Sequence, residues 1–258
     1  MPDTASDRGL RLTLTPPLAT VTLTRAARLN ALSPPLIEAL IDVAQRLGAV
    51  DDCHVVLLRG EGRVFCAGFD LDTLPAAAAI TAAAADLGRC LIDAWSTLPQ
   101  LSLAAVHGAC VGGGLLLAAA CDLRMAAGET RFAIPELELG LPLTWGGVPR
   151  LVRLLGPTLA AQVLFDAAPF DAGQALAWRL VNRVVEGPAF EAAAQDWAAQ
   201  LGRHPGVVLR ATKRRLAAAV EALSPALGDT RDAADLIAAR ADPQADAVLQ
   251  RYLAARRR

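Results

Sequence analysis

Ser102-Leu103-Ala104-Ala105-Val106-His107-Gly108-Ala109-Cys110-Val111-Gly112-Gly113-Gly114, running into Leu115-Leu116-Leu117-Ala118-Ala119-Ala120, is the stretch that decides the fold class. Ser102–Val106 is an apolar run of strand length that ends at a glycine. The cluster Gly112–Gly114 then opens an apolar helix, Leu115–Ala120. Strand, glycine-rich turn and helix in that order argue for an α/β architecture. The strand lacks polar alternation, as expected where parallel strands are covered on both faces.

The same grammar extends outward. Upstream, Leu10–Thr15 and Ala19–Leu23 alternate around Pro16-Pro17 and read as a hairpin. Ser33 and Pro34 signal a helix start; Leu36, Leu40, Val43 and Leu47 follow at helical spacing, and Gly48 stops it. His54–Leu58 reads as a buried strand and Ile80–Ser96 as a helix. Downstream, Asp122–Ala126 and Arg131–Ala133 are strands, and Val181–Val185 could add an edge. Helical periods otherwise dominate from Gly146: Val148–Leu155, Thr158–Phe165, Asp171–Leu180, Phe190–Leu201, Val207–Leu223 and Asp229–Arg256, punctuated by Pro205, Pro225 and Pro243. We divide the chain into a core, residues 1–202, and a helical region, residues 203–258, whose last helices pack on a neighbouring subunit or on the core.

With 258 residues, 54% of them hydrophobic and 20% charged, the chain has a globular composition. A net charge of −1 gives no broad grip on nucleic acid or an anionic membrane. The apolar runs are too short for a membrane span, and the first residues lack the apolar core of a signal peptide. A cytoplasmic protein is the expectation. Cys53, Cys66, Cys90, Cys110 and Cys121 are scattered and read as reduced thiols, and His54, His107 and His204 offer no metal-ligand spacing.

Two segments carry chemistry: Arg63-Val64-Phe65-Cys66-Ala67-Gly68-Phe69-Asp70-Leu71 and His107–Gly114. A loop that aims backbone N–H groups at a ligand needs residues that tolerate unusual φ/ψ and lack obstructive side chains. Placing one N–H at a helix N-terminus adds the favourable end of the dipole. Two such groups converging on one oxygen make an oxyanion hole, worth about 3–4 kcal/mol per donor. Neither cluster has the spacing of a dinucleotide-binding loop, and no G-x-S-x-G elbow is present.

Taken with Leu23-Thr24-Arg25, Leu29-Asn30-Ala31-Leu32, Cys121-Asp122-Leu123-Arg124, Phe132–Gly140, Gly146-Gly147 and Thr212-Lys213, these segments resemble the crotonase (enoyl-CoA hydratase/isomerase) superfamily over nearly the whole chain. The resemblance implies a crotonase-like spiral of β-β-α repeats followed by a C-terminal helical trimerisation region. It implies a homotrimer or dimer of trimers, and an acyl-CoA substrate with no cofactor beyond that coenzyme A. It places the oxyanion hole at the backbone N–H groups of Phe69 and Gly113, flanked by Ala67, Gly68 and Gly112. It also places coenzyme A along Arg25, Arg28 and Ala31, with the backbone of Asp70 and Leu71 beside the pantetheine.

Hydratases of this family use two glutamates. Phe132-Ala133-Ile134-Pro135-Glu136 supplies one, while the other position is Leu116, which cannot move a proton. Flanked by Pro135 and Leu137, Glu136 should be partly desolvated and its pKa raised. Glu138 reads as a bland neighbour and Asp122 as a structural acceptor. Leu143 and Trp145 stand where the family more often has small residues, and they either reshape the acyl pocket or simply pack in the core. One base and one oxyanion hole suffice for Δ3 to Δ2 isomerisation of an enoyl thioester. A hydratase with a substitute acid is the alternative, though Leu74–Ala79 offers no candidate. A non-catalytic acyl-CoA-binding protein is the third reading.

Overall fold

In a computed structural model of the protein, the residues described are 4–6, 8–74, 80–223 and 231–256. β1 (Thr4–Ser6), β2 (Leu10–Thr15) and β3 (Leu18–Leu23) pair antiparallel, and the hairpin register sets Leu10 opposite Leu23 and Thr15 opposite Leu18. From β3 onward the sheet turns parallel through β4 (Val55–Gly60), β5 (Leu101–Val106), β7 (Leu123–Ala127) and β10 (Arg183–Val185). A small second sheet joins β6 (Ala109–Val111), β8 (Arg131–Ala133) and β9 (Phe170–Asp171).

Helices cover both faces of the parallel part of the large sheet, which is why β4 and β5 carry no polar alternation. Val56 and Leu58 of β4 face a core shared with α1 (Pro34–Gly48), α2 (Ala82–Ser96) and α3 (Gly113–Ala120). Val55 and Leu57 face the other way, onto Phe190, Ala194 and Trp197 of α7 (Phe190–Gly202). Leu36, Leu40, Val43 and Leu47 form the buried stripe of α1 as their spacing predicts. Ser33 stands before that helix, but its hydroxyl makes no capping bond; Thr81 does cap α2, accepting from the Ala84 N–H.

Several helices differ from the sequence-based bounds. Phe170-Asp171 pairs with β8, so the helix expected from Asp171 is α6 (Ala172–Ala177), held at its start by a reciprocal Asp171–Gln174 capping box. The helix expected over Asp229–Arg256 is two among the described residues, α9 (Asp232–Ala241) and α10 (Pro243–Arg256). Asp242 sits extended before Pro243, as the proline ring requires. The edge suggested by Val181–Val185 forms as β10.

After α4 (Gly147–Leu155) and α5 (Pro157–Asp166), α7 ends at Gly202, and α8 (Gly206–Leu223) is tied to the sheet by Lys213. Its ammonium donates to Asp122 at 2.6 Å and to the Gln100 carbonyl at 2.8 Å, and Asp122 also accepts from Ser102. Asp122 is thus a structural acceptor, as read. On α8, Val208, Leu216, Val220 and Leu223 form an exposed apolar stripe. α9 packs on α2, and α10 packs on α9 and on the turn Glu136–Leu139. The last two helices therefore lie on their own chain's core. No helix among the described residues is long and apolar enough to cross a membrane.

Candidate active site

Each site residue is placed by backbone pairing. Leu32 N–H donates to the Gly68 carbonyl at 2.8 Å and Asp70 N–H to the Leu32 carbonyl at 3.1 Å, so Phe69 is held between them. Cys66 bridges in parallel to Cys110, which sets the first loop beside the second. Gly68, at φ +87°, brings its Cα so near that a methyl group there would stand 2.8 Å from the Val111 carbonyl oxygen and 3.6 Å from the Gly113 nitrogen. The second loop is fixed by β6 pairing with β8 and by the Gly112 N–H donating to the Ala133 carbonyl at 2.9 Å. Gly113 begins α3, a helix buried along its whole length. Among the described residues neither the Phe69 nor the Gly113 N–H has a protein acceptor. Two unclaimed donors thus meet beside a helix N-terminus, an arrangement able to hold a developing negative charge.

Glu136 follows β8 by way of Ile134-Pro135 and opens a 3-10 turn, Glu136–Leu139, that Gly140 closes in the left-handed region. Its Oε1 lies where a Gly112 side chain would go, 2.6 Å from that imagined Cβ. Its Oε2 is buried with no hydrogen-bond partner in the chain. Burial pushes the carboxyl pKa up to about 7. The group is therefore poised to take or give a proton near neutrality. Glu138, two residues on, is exposed.

The raised pKa makes two measurable statements. Activity that needs the carboxylate should rise with pH through about 7 in kcat/KM, the parameter that reports the free protein. Between the ordinary carboxylate range and about 7, the folded chain holds a proton that the unfolded chain has released. Stability contributed by this group is therefore full in acid, falls as pH rises across that window and levels off above it. Chemical denaturation of wild type and Glu136→Gln at pH 5 and pH 8 measures it: the wild type should lose ground to the variant at the higher pH.

Leu116 is 1% exposed, and its Cδ1 lies against Gly147, where Leu143 also packs. At the position where a second acid would stand, the chain thus presents a buried hydrocarbon side chain. Trp145, in the left-handed region at φ +62°, has its indole wedged between Gly88 of α2 and Gly113. A Cβ on Gly88 would fall 1.8 Å from that ring, and Phe69 meets it edge-on at 6.2 Å. The next residue, Gly146, donates its N–H to Asp232 Oδ2 at 2.6 Å. Phe69, Gly112, Gly113, Leu116, Glu136 and Trp145 thus gather in one place.

The residues expected beside coenzyme A form an adjoining patch. Asp70 is 2% exposed, with Arg25 donating to it at 2.9 Å and Arg28 at 3.4 Å. Arg25 also donates to the Ala31 carbonyl, and Arg28 to Asp72. The Asp70 side chain is therefore spent on the two arginines, and its backbone is engaged as well: the N–H donates to the Leu32 carbonyl and the carbonyl accepts from Thr73. Ala31 is buried, while Ala67 and Leu71 are partly exposed. Residues 75–79, within the segment that offered no substitute acid, lie outside the described residues.

Sequence reasoning missed two features here. One is Asp232, which no local motif marks. The other is an apolar cavity of about 310 Å3 beside Glu136, bounded by Ile134, Leu143, Val152, Ala160 and Leu164. Among the described residues no His/Cys/Asp/Glu group is placed to hold a metal ion.

Comparison with known proteins agrees on kinship. The sequence model described as Enoyl-CoA hydratase/isomerase matches residues 15–241. The mevalonyl-coenzyme A hydratase sidH of Aspergillus fumigatus is 32% identical over 231 residues, spanning 83% of this chain and 82% of its own. A protein named "Probable enoyl-CoA hydratase EchA17" from Mycobacterium tuberculosis is 33% identical over 198 residues, 76% of each chain. Among solved structures, an enoyl-CoA hydratase from Mycobacterium avium subsp. paratuberculosis superposes with a TM-score of 0.86 at 27% identity, covering 96% of this chain and 100% of that one. An enoyl-CoA hydratase/carnithine racemase from Magnetospirillum magneticum gives 0.80 at 32% identity, covering 84% and 82%.

Proposed function

The chain belongs to the enoyl-CoA hydratase/isomerase family, and from that premise we propose that it is a single-base Δ3 to Δ2 enoyl-CoA isomerase. In this reading the Phe69 and Gly113 N–H groups hold the thioester oxygen. Glu136 takes a proton from Cα of the 3-enoyl thioester, and the electron pair spreads over the dienolate to that oxygen. Glu136 then returns the proton to Cγ, leaving the double bond conjugated with the carbonyl. No water, second acid or further cofactor enters the balance; coenzyme A belongs to the substrate and lies along Arg25, Arg28, Ala31 and the backbone of Ala67–Leu71.

The observation that carries the proposal is the desolvated Glu136 carboxyl, its Oε2 without a hydrogen-bond partner, beside the glycine cluster whose helix carries the apolar Leu116. Hydration needs activated water and a proton for Cα, hence two groups; proton transfer along one face needs one. A second reading, hydration, has the names of the sidH and EchA17 relatives in its favour. Purified protein given 3-enoyl-CoA should yield the 2-enoyl thioester, seen as conjugated-thioester absorbance, and should hydrate 2-enoyl-CoA poorly. Leu116→Glu should raise hydration. Rapid hydration by wild type with no isomerisation would overturn the proposal; acyl-CoA binding indifferent to Glu136 and without turnover would favour a binding protein.

Assembly as a homotrimer or dimer of trimers, through surfaces such as the exposed stripe of α8, belongs to the same reading. So does a cytoplasmic location, which the free thiols of Cys53, Cys66, Cys90, Cys110 and Cys121 suit.

A further inference from the structure

We infer that Asp232, on α9, is a positioning residue for the reaction: it locks the turn that presses the Trp145 indole against Phe69 and Gly113. The inference rests on the role proposed above for the N–H groups of those two residues, and adds a residue that keeps them aimed. The turn itself is strained. Gly147 N–H donates to the Thr144 carbonyl at 3.0 Å, and both residues between them are left-handed, Trp145 at φ +62° and Gly146 at φ +65°. Glycine and asparagine suit such central positions and a bulky aromatic residue does not. A backbone of this kind persists where its surroundings hold it in place.

Those surroundings act from two sides. On one side, the indole occupies space that two glycines leave open. Its ring-fusion atoms and Nε1 lie within 2.1 Å of where a Gly88 Cβ would stand, and its Cζ3 and Cη2 lie 2.5 and 2.8 Å from that of Gly113. The Phe69 ring meets it edge-on. On the other side, Asp232 Oδ2 accepts from the Gly146 N–H at 2.6 Å, in a residue only 8% exposed. Gly146 precedes α4, which has no capping side chain and no acid in its own first turn. Asp232 also stands in the first turn of α9. One carboxylate thus serves the positive ends of two helices and fixes the turn at the head of α4.

Backbone pairing at Cys66 and Cys110 sets the two donor loops side by side. It does not aim the donors, because among the described residues neither the Phe69 nor the Gly113 N–H has a protein acceptor. Packing has to do that, and Trp145 meets both residues. Releasing Gly146 from Asp232 lets the strained turn relax, and the indole moves with it.

The test measures turnover of 3-enoyl-CoA and, separately, the absorbance of bound 2,4-hexadienoyl-CoA in the full chain. The dienoyl thioester is already conjugated, so the proposed reaction leaves it unchanged, and donors on its carbonyl oxygen should redden it. Asp232→Ala should lower kcat about twentyfold, short of the roughly hundredfold that an ångström of misplacement costs. KM should stay within threefold, as for a contact realised in the transition state, and the reddening should shrink by at least half. Asp232→Asn keeps an oxygen for the Gly146 N–H and should recover kcat to within about fivefold of wild type. Trp145→Phe alone should lower kcat about fivefold, and Asp232→Ala added to it should cost at most threefold more, since the two act through one contact. Unchanged kcat and reddening in Asp232→Ala, whatever its melting temperature, would overturn the inference, as would a full twentyfold further loss in the Trp145→Phe background. Should Asp232→Ala not fold, kcat and reddening of wild-type size in Trp145→Phe would overturn it. A wild type that isomerises no 3-enoyl-CoA, yet reddens the dienoyl thioester in a manner that Asp232→Ala weakens, would keep the inference and overturn the proposed reaction instead.

Discussion

Glu136→Gln is expected to lower kcat for 3-enoyl-CoA isomerisation by about a thousandfold, within the range general acid–base catalysis supplies, while the folded chain persists. The amide keeps the volume of the carboxyl, so the packing against Gly112 and the 3-10 turn is retained. It cannot accept and return a proton, and among the described residues no other acid lines the cavity at that point. KM should change little, because in the proposed reaction the thioester is held by backbone donors that the substitution does not touch. The variant should also unfold no earlier than wild type at pH 8, because a desolvated carboxylate whose Oε2 lacks a hydrogen-bond partner costs free energy that a neutral amide lessens. Steady-state kinetics of the purified variant, read beside its thermal unfolding, decides this. Residual activity within tenfold of wild type would remove Glu136 from the role of base.

Gly112→Ala should cost about a hundredfold in kcat, the penalty of misplacing a catalytic group by about an ångström. The new methyl group would stand 2.6 Å from Glu136 Oε1, at a backbone angle of φ +51° that side chains other than glycine seldom adopt. The carboxyl must move, and the available direction is away from the closely packed glycine cluster. That movement relieves its desolvation, so the pH at which kcat/KM rises should shift downward from about 7. Gly156→Ala provides the comparison. It imposes similar strain at φ +76° with nothing within 4 Å, and so should lose about 1–2 kcal/mol of stability with no shift of the pH profile. An unshifted profile in Gly112→Ala would mean that the glycine is needed for the turn alone.

The local grammar of the chain disclosed much of this. Helix stripes such as Leu36–Leu47, the alternation of Leu10–Thr15 and the glycine turn before Leu115 are signals read over a few residues, and the structure has them close to where they were expected. Glu136 stood out through the family resemblance of Phe132–Gly140, since a charge beside a proline is by itself an ordinary surface pattern. The short strands β6 and β9 escaped because three and two residues carry no period; they exist only through pairing with β8. Whether Trp145 packs in the core or shapes the pocket could not be read from its neighbours, since its place depends on Gly88, a residue on a different helix whose missing side chain makes room for the ring. Asp232 was invisible for the same reason: its partner, the Gly146 N–H, lies 86 residues away in the sequence.

That separation bears on how the protein reaches its native state. The loop carrying Trp145 is tethered by α9, and Gly140 comes so close to α10 that a methyl group on it would stand 2.5 Å from the Ala245 carbonyl oxygen. Closing such long loops carries an entropic toll that contacts within a hairpin or a single helix do not, and distant pairings form slowly. On refolding from denaturant, helical and strand signals should therefore return before turnover does, with the pocket assembling as one of the final events once α9 and α10 have docked.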